Sequence, residues 1–443
     1  MTDTSSRART RQAHQVGLPA RRAAIEILYR VLSEGRPLDT TLADSAESGL
    51  MTGLTQKDRA FARNLVSTTL RRKGQIDPLI KQFSDKPLDR KRTGSVYEAI
   101  LAGATQILFL RVPAHAAIDL SVRAVTTDRR GGRKLGGFVN ALLRRVSREG
   151  PELVAAQDAS RLSVPGWLYE SWTKAYGGEG AKKVALAHLE EAPLDITVKQ
   201  DAAGWAEKLG GQVLPQGSVR LNNNPGKVSR LDGFEEGAWW VQDTAASLPA
   251  RLLGTIKGKR VFDLCAAPGG KTAQLAHAGA EVIAVDNAAD RIARVRENLK
   301  RLQLEAETIT SDVMDFAPDE LADAILLDAP CSATGTIRRH PDVAYLKTRG
   351  TIKALTKIQS DMLRKAESLL KPGGILIYCT CSLQTDEGEK QIAQVLKRGG
   401  LERLAVSKEE IGGLENAITP DGDVRTLPSM GMDGFFISRL RKI

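Results

Sequence analysis

Two thiols stand where nucleophilic chemistry would need them: Cys331 in LLDAPCSATG (326–335) and Cys381 in YCTCS (378–382), each just past the end of an apolar run. Carbon 5 of cytosine is an atom that would need such help. It is too poor a nucleophile to attack a methyl sulfonium, whereas thiolate addition at carbon 6 turns it into an enamine carbon that can. The carbon-5 proton must then leave before the thiol does, so a second acid–base group is required beside the first, and the second cysteine could assist. Position alone leaves open which cysteine attacks. Asp328 closes the apolar run before Cys331 and could donate or accept at N3 of the base. A run ending Asp-Pro-Pro-Tyr would have pointed to amino-group methylation; this one ends Asp-Ala-Pro-Cys. Cys265 and Cys379 read as small buried hydrophobes. A zinc cluster of all four is disfavoured, because ligand pairs usually come as Cys-x-x-Cys, and no metal is expected.

A second constellation could hold a cofactor. DLCAAPGGKT (263–272) runs from an apolar strand into a helix, and its glycine pair lets backbone approach a ligand while the helix amides point at it. The segment is neither the G-x-G-x-x-G of nicotinamide enzymes nor a phosphate loop. Asp286 ends the next strand, 23 residues after Asp263, where a carboxylate can accept from both ribose hydroxyls. Asp312 follows a third strand and could accept from an adenine amino group. Any one of these aspartates read alone is a cap or turn residue. Three at successive strand ends point to an adenosine-containing ligand.

These residues need a scaffold. From Lys257 to the end, strands expected at Arg260–Leu264, Glu281–Asp286, Glu307–Thr310, Ala324–Asp328 and Gly374–Tyr378 alternate with helical segments, the pattern of an α/β doubly wound parallel sheet. In such a sheet the carboxyl ends of the strands open onto one crevice, so both thiols could face the cofactor. Residues 20–150 are all-α: Ala24, Ile27, Leu28 and Val31 recur at helical spacing, as do Phe61, Leu65 and Val66, with turns at Gly94, Pro113 and the glycines at 131, 132, 136 and 137. Residues 160–256 read as a small α+β domain, with a helix over 181–189 and a strand over 194–198, and residues 1–19 as a flexible N-terminus.

Charge divides the chain. Of 64 Lys and Arg against 53 Asp and Glu, residues 1–150 hold 27 against 14 and the remainder 37 against 39. A basic N-terminal module implies a polyanionic partner. Arg133, Lys134, Arg144, Arg145 and Arg148 gather around the last N-terminal helix and the Gly-rich loop before it, and are the candidate phosphate ligands; each alone is equally well a cation complementing a helix C-terminus. No apolar run is long enough to span a membrane, and the N-terminus has no secretory pattern, so a cytoplasmic location is expected. No protein partner can be read from the sequence.

DLCAAPGGKT, DAPCSATG with the following IRRHPD (337–342), TCS (380–382) and DGFF (433–436) resemble the NOL1/NOP2/Sun family of RNA cytosine-5 methyltransferases. DRAFARNLV (58–66), VPAHAAID (112–119) and GFVNALLRR (137–145) are similar to the NusB-type RNA-binding helical domain. The combined resemblance covers nearly the whole chain. It implies a Rossmann-like class I methyltransferase domain, S-adenosyl-L-methionine as cofactor, and methylation of cytosine in 16S ribosomal RNA or its small-subunit precursor. It further implies Cys381 as nucleophile, Cys331 aiding product release, and cofactor contacts from Cys265, Ala266, Ala267, Pro268, Gly269, Gly270, Lys271, Asp286, Asp312 and Asp328. The sequence departs from the family where LDITVKQ (194–200) lacks an Arg-x-Asn and where Gly388 replaces a common Asn. Rival readings keep the chemistry but move it to transfer RNA, or make the chain an RNA-binding assembly factor with a vestigial catalytic domain. A nicotinamide dehydrogenase would need the dinucleotide fingerprint that is absent.

Overall fold

The computed structural model describes residues 17–443 except 48, 85–87, 89–92, 128–131 and 223–225. Most of the expected flexible N-terminus, and Gly131, lie outside the described residues. The chain packs as two compact units. One runs to Thr173 and takes in Gly178–Leu189 and His340–Leu346; the other holds Lys174–Gly177, Glu190–Arg339 and Lys347–Ile443. The region 160–256, expected as one small domain, is thereby shared between the two.

The first unit is helical: α1 (Leu18–Leu32), α2 (Leu38–Glu47), α3 (Gln56–Phe83), α4 (Val96–Leu108), α5 (Ala114–Thr126), α6 (Gly136–Ala155), α7 (Ala159–Leu162) and most of α8 (Gly166–Ala187). Ala24, Ile27, Leu28 and Val31 of α1 are fully buried, as their spacing predicts. α4 is buried all round, from Val96 to Gln106, and is the helix the others pack upon. Its Gly103 permits that approach: a Cβ there would sit 2.6 Å from Leu143 and 2.9 Å from Ser121. Gly136 and Gly137, read as turn residues, instead begin α6.

The second unit carries two sheets. β1 (Asp195–Val198), β2 (Gly211–Val213), β3 (Val219–Leu221) and β4 (Trp239–Val241) form an antiparallel sheet in the order β2-β3-β1-β4, with α9 (Ala202–Lys208) beside β2 and β3. α10 (Thr244–Arg251) leads to the large sheet, β5 (Arg260–Leu264), β6 (Glu281–Asp286), β7 (Glu307–Thr310), β8 (Ala322–Asp328), β9 (Leu370–Thr380), β10 (Leu401–Arg403), β11 (Val424–Arg425) and β12 (Phe436–Lys442). Its helices are α11 (Gly270–His277), α12 (Ala289–Leu302), α14 (Arg349–Ser368) and α15 (Glu389–Arg398), while α13 (Val343–Leu346) belongs to the helical unit.

The strand order is β10-β12-β9-β8-β5-β6-β7, and β5 to β9 pair in parallel. Successive strand residues point to opposite faces, and both faces are covered. Phe262, Leu264, Leu376 and Tyr378 pack with Met362, Leu363, Ile392 and Val395 of α14 and α15. Val261, Ile377, Cys379 and Ile437 pack with Leu248 and Leu275 of α10 and α11. The sheet is not wholly parallel as expected: β12 pairs antiparallel with β9, β10 and β11. Chain order reverses between β5 and β8, so a ligand crevice belongs outside the carboxyl ends of those strands.

Candidate active site

A cavity of about 230 Å³ opens at that position. Every strand from β5 to β9 delivers to it residues at or just beyond its carboxyl end. These are Cys265 and Ala267 after β5, Asp286 at the end of β6, Asp312 after β7, Asp328 and Cys331 at and after β8, and Cys381 after β9. Asn287, Arg291 and Met362 complete part of the wall. Residues up to 116 positions apart in sequence thus meet because parallel strands all end on one side.

The loop after β5 is shaped for close approach. Cys265 has a left-handed backbone, φ +65°, and Gly269 has φ +99°, where a Cβ would lie 3.2 Å from Val295. Ala266 N donates to Val285 O at 3.0 Å and Ala267 N to Asp286 Oδ2 at 3.2 Å, tying the loop to β6. Arg291 also reaches Asp286 Oδ2, at 3.2 Å. Within the loop, Cys265 and Ala267 line the cavity; Ala266, Pro268, Gly269 and Gly270 form the turn behind them, and Lys271 points its ammonium at Asp328 Oδ2, 2.7 Å away. Burial opposes the Lys271 charge, but Asp328 outweighs it and the ammonium is held well above its usual range. Asp263 stays behind the wall, accepting from Thr272 Oγ1 at 2.6 Å, and burial pushes its carboxyl up to about 7. Asp312 both lines the cavity and caps a turn by accepting from Met314 N at 2.8 Å.

The two candidate thiols are in contact, Cys331 Sγ to Cys381 Sγ 3.4 Å. The hydrogen bond to Cys381, and then burial, raise the Cys331 thiol well above its usual range. Either sulfur of this pair can be the donor. Cys265 is raised by burial and by Asp328, Asp286 and Asp263 around it. Cys379 is buried, with Sγ 3.5 Å from Asp328 Oδ1, and burial raises it too. Neither of those two is a nucleophile at neutral pH.

Residues that sequence reasoning missed hold the pair in place. Buried Glu387 accepts from Ser332 N at 2.9 Å and from Gln359 Nε2 at 3.0 Å with one oxygen, and from the hydroxyls of Ser332 and Ser382 with the other. These four hydrogen bonds to one carboxylate join the residues that follow Cys331 and Cys381. Gly335 N donates to Cys381 O and Gly434 N to Gly335 O, both at 2.9 Å, and a Cβ on Gly335 would lie 1.9 Å from Gly434 O. Behind them Asp433 accepts from Arg338 Nε and Arg339 Nε at 2.8 Å each, and Asp243 from the second nitrogens of the same arginines at 3.2 and 2.6 Å. An acid set in the apolar run Met432–Phe436 was the available sign of a buried partner. Gly388 has no room for a side chain, since its Cβ would lie 2.6 Å from Arg425, whose guanidinium also reaches Ser382 O.

Glu387→Ala removes the acceptor shared by four buried donors. The expected cost is about 3 kcal/mol or more of unfolding free energy, read as a lower urea midpoint with an unchanged slope.

The candidate RNA contacts lie in the helical unit. Arg133 and Lys134 are exposed in the turn Gly132–Leu135 before α6, and Arg144, Arg145 and Arg148 are exposed along α6. Arg145 and Arg148 both pair with Glu149, at 3.3 and 2.6 Å, and Arg145 also stacks over Phe83. Arg144 and Arg148 line a groove between α5 and α6 with His115, Asp119 and Asn140. Among the described residues no cluster of His, Cys, Asp and Glu suits a metal ion, and no helix is long and apolar enough to cross a membrane.

Comparison with known proteins adds to this geometry. Residues 250–441 match the family model described as 16S rRNA methyltransferase RsmB/F, and residues 18–148 that of the NusB family. Ribosomal RNA small subunit methyltransferase B of Cronobacter sakazakii is 35% identical over 441 residues, covering 95% of this chain and 98% of that protein. Among solved structures, PH0851 superposes with a TM-score of 0.76 at 23% identity, over 96% of this chain and 99% of that one. A methyltransferase homologue from Pyrococcus horikoshii gives 0.55 at 27% identity, over 65% and 98%.

Proposed function

Because the chain belongs to the RsmB/F family of 16S rRNA methyltransferases, we propose that it methylates carbon 5 of a cytosine in 16S ribosomal RNA through a transient bond from Cys381 to carbon 6. The observation that carries this reading is the contact between the two thiols inside the strand-end cavity. A methyltransferase acting on an amino group has no use for a cysteine pair there.

The cofactor is S-adenosyl-L-methionine. The residues fit it: three carboxylates, Asp286, Asp312 and Asp328, face a cavity whose ligand carries a positive sulfur and offers hydrogen-bond donors from ribose and adenine. Asp286 would accept from the ribose and Asp312 from the adenine amino group, with Cys265, Ala267 and the turn behind them closing the floor. When bound, the cofactor supplies an electrophilic methyl group. Asp286→Ala is expected to raise the cofactor's dissociation constant by about 100-fold, measured by calorimetry without RNA.

The chain's own residues account for the remaining steps. Cys381 gives up its proton to solvent and reacts as the thiolate; its sulfur bonds to carbon 6 and the ring's electron pair moves to carbon 5, which accepts the methyl. Asp328, fixed by Lys271, meets the N3 edge of the base. Bond formation at Cys381 removes the hydrogen bond that is the largest cause of the raised Cys331 thiol. Cys331 then releases its own proton to solvent and, as the thiolate, takes the proton from carbon 5, while the electron pair of the carbon 5–hydrogen bond restores the ring double bond and the carbon 6–sulfur bond breaks to return the Cys381 thiolate.

A base must be unstacked to enter, which favours a loop or bulge of RNA in the cytoplasm over a regular duplex. The test is bisulfite sequencing of ribosomal and transfer RNA from a strain lacking the gene. One 16S cytosine losing its methylation supports the reading; loss confined to transfer RNA refutes the substrate, and an unchanged map refutes the reaction.

A further inference from the structure

Residues 151–443 are slightly acidic, with 37 Lys and Arg against 39 Asp and Glu, yet one helix of this unit carries a basic face. Arg349, Lys353, Lys357 and Arg364 follow one another at spacings of four, four and seven along α14, and all are exposed. Such spacing keeps them on one side, each four-residue step advancing about 6 Å along the axis. They line an open groove between α14 and α15, to which Lys390 adds a fifth cation. Two acids share the groove, and each is engaged: Asp361 with Arg364 and Asp386 with Lys390. Among the described residues Lys353 and Lys357 have no acidic partner.

The other side of the same helix belongs to the catalytic centre. Met362 lines the cysteine cavity, and Gln359 bonds both Glu387 and the carbonyl of Pro330 next to Cys331. The helix itself, about 10–12 Å across, separates the basic face from the side that meets the cavity.

We propose that the exposed face of α14 is a track for the RNA backbone, where Lys353 and Lys357, in line with Arg349 and Arg364, bind phosphates flanking the cytosine that enters the cavity. The proposal rests on the functional reading above. It places a second RNA contact in the catalytic unit, apart from the arginines of α6. A nucleotide turned out of its stack leaves neighbouring phosphates that must be gripped to hold the base in place, and a row of cations on a rigid helix does this without reading sequence.

The test is filter binding of a 16S rRNA transcript to the full-length protein at several salt concentrations. Lys353→Ala/Lys357→Ala is expected to weaken binding at least tenfold at low salt and to reduce the slope of log affinity against log salt by about 1.4, the value for two contacts to a single strand. Cofactor affinity, measured by calorimetry, should stay at the wild-type value and serves as the check on folding. The charge-matched variant Arg294→Ala/Lys300→Ala, on α12, should bind as wild type does. If the α14 variant keeps the wild-type affinity and slope, or if both variants lose affinity equally, the track is overturned. Failure of the underlying functional reading looks different: the wild-type protein itself would leave the transcript unmethylated.

Discussion

Cys381→Ser is expected to lower methyl transfer by about 10⁴-fold or more, on the order of 5.4 kcal/mol of transition-state stabilisation. A serine hydroxyl in the same place ionises far less readily than a thiol and is a poorer nucleophile toward carbon 6. The fold should survive the change. Gly335 N bonds the backbone oxygen of residue 381 rather than its side chain, and Ser382 is held separately through Glu387. Single-turnover transfer from labelled cofactor gives the rate, and a thermal melt shows that the variant is folded. The same variant should form no covalent complex with RNA carrying 5-fluorocytosine, which cannot lose its carbon-5 substituent and so traps the attacking residue. Retained trapping would move the nucleophile to Cys331, the one alternative that strand-end position left open.

Much of this site was legible because its logic is local and repeated. An apolar strand that ends in Asp, or is followed within three residues by Cys, occurs at Asp286, Asp328, Cys331 and Cys381, and a parallel sheet buried on both faces must end all such strands along one edge. Residues whose roles depend on distant partners were not legible. Glu387 is one acid among many at a helix start; only the fold shows that Ser332, Ser382 and Gln359 all donate to it. The same holds for Arg338 and Arg339, whose partners Asp243 and Asp433 lie about 95 positions away on either side. β12 escaped notice because FISRLRK alternates into charge toward the C-terminus and reads as a polar tail, whereas its antiparallel register against β9 buries Phe436, Ile437 and Leu440. The α7 and α8 helices and the β1–β4 sheet are contiguous in sequence, yet the sheet and most of the helical residues fall in different units.

Cys331→Ala should leave attack and methylation possible while slowing release, so that the protein accumulates as a covalent complex with its RNA. The argument runs through the pair's geometry. Cys331 Sγ lies 3.4 Å from Cys381 Sγ, and once the latter is bonded to carbon 6 the neighbouring carbon 5 is within reach of the former. A proton on that carbon has no other thiol to accept it: Cys265 and Cys379 are held in the protonated form by burial and by the surrounding carboxylates. Loss of a positioned base typically costs about 10²–10⁴-fold, enough to turn a fleeting species into one that survives heating in detergent. On a denaturing gel with labelled RNA the variant should shift to a slower band in the presence of ordinary cytosine, cofactor and no fluorinated base. Cys331→Ala/Cys381→Ala must lack that band, because its bond is to Cys381. A single variant that turns over freely with no adduct would remove Cys331 from proton transfer and leave Asp328 or water as the base.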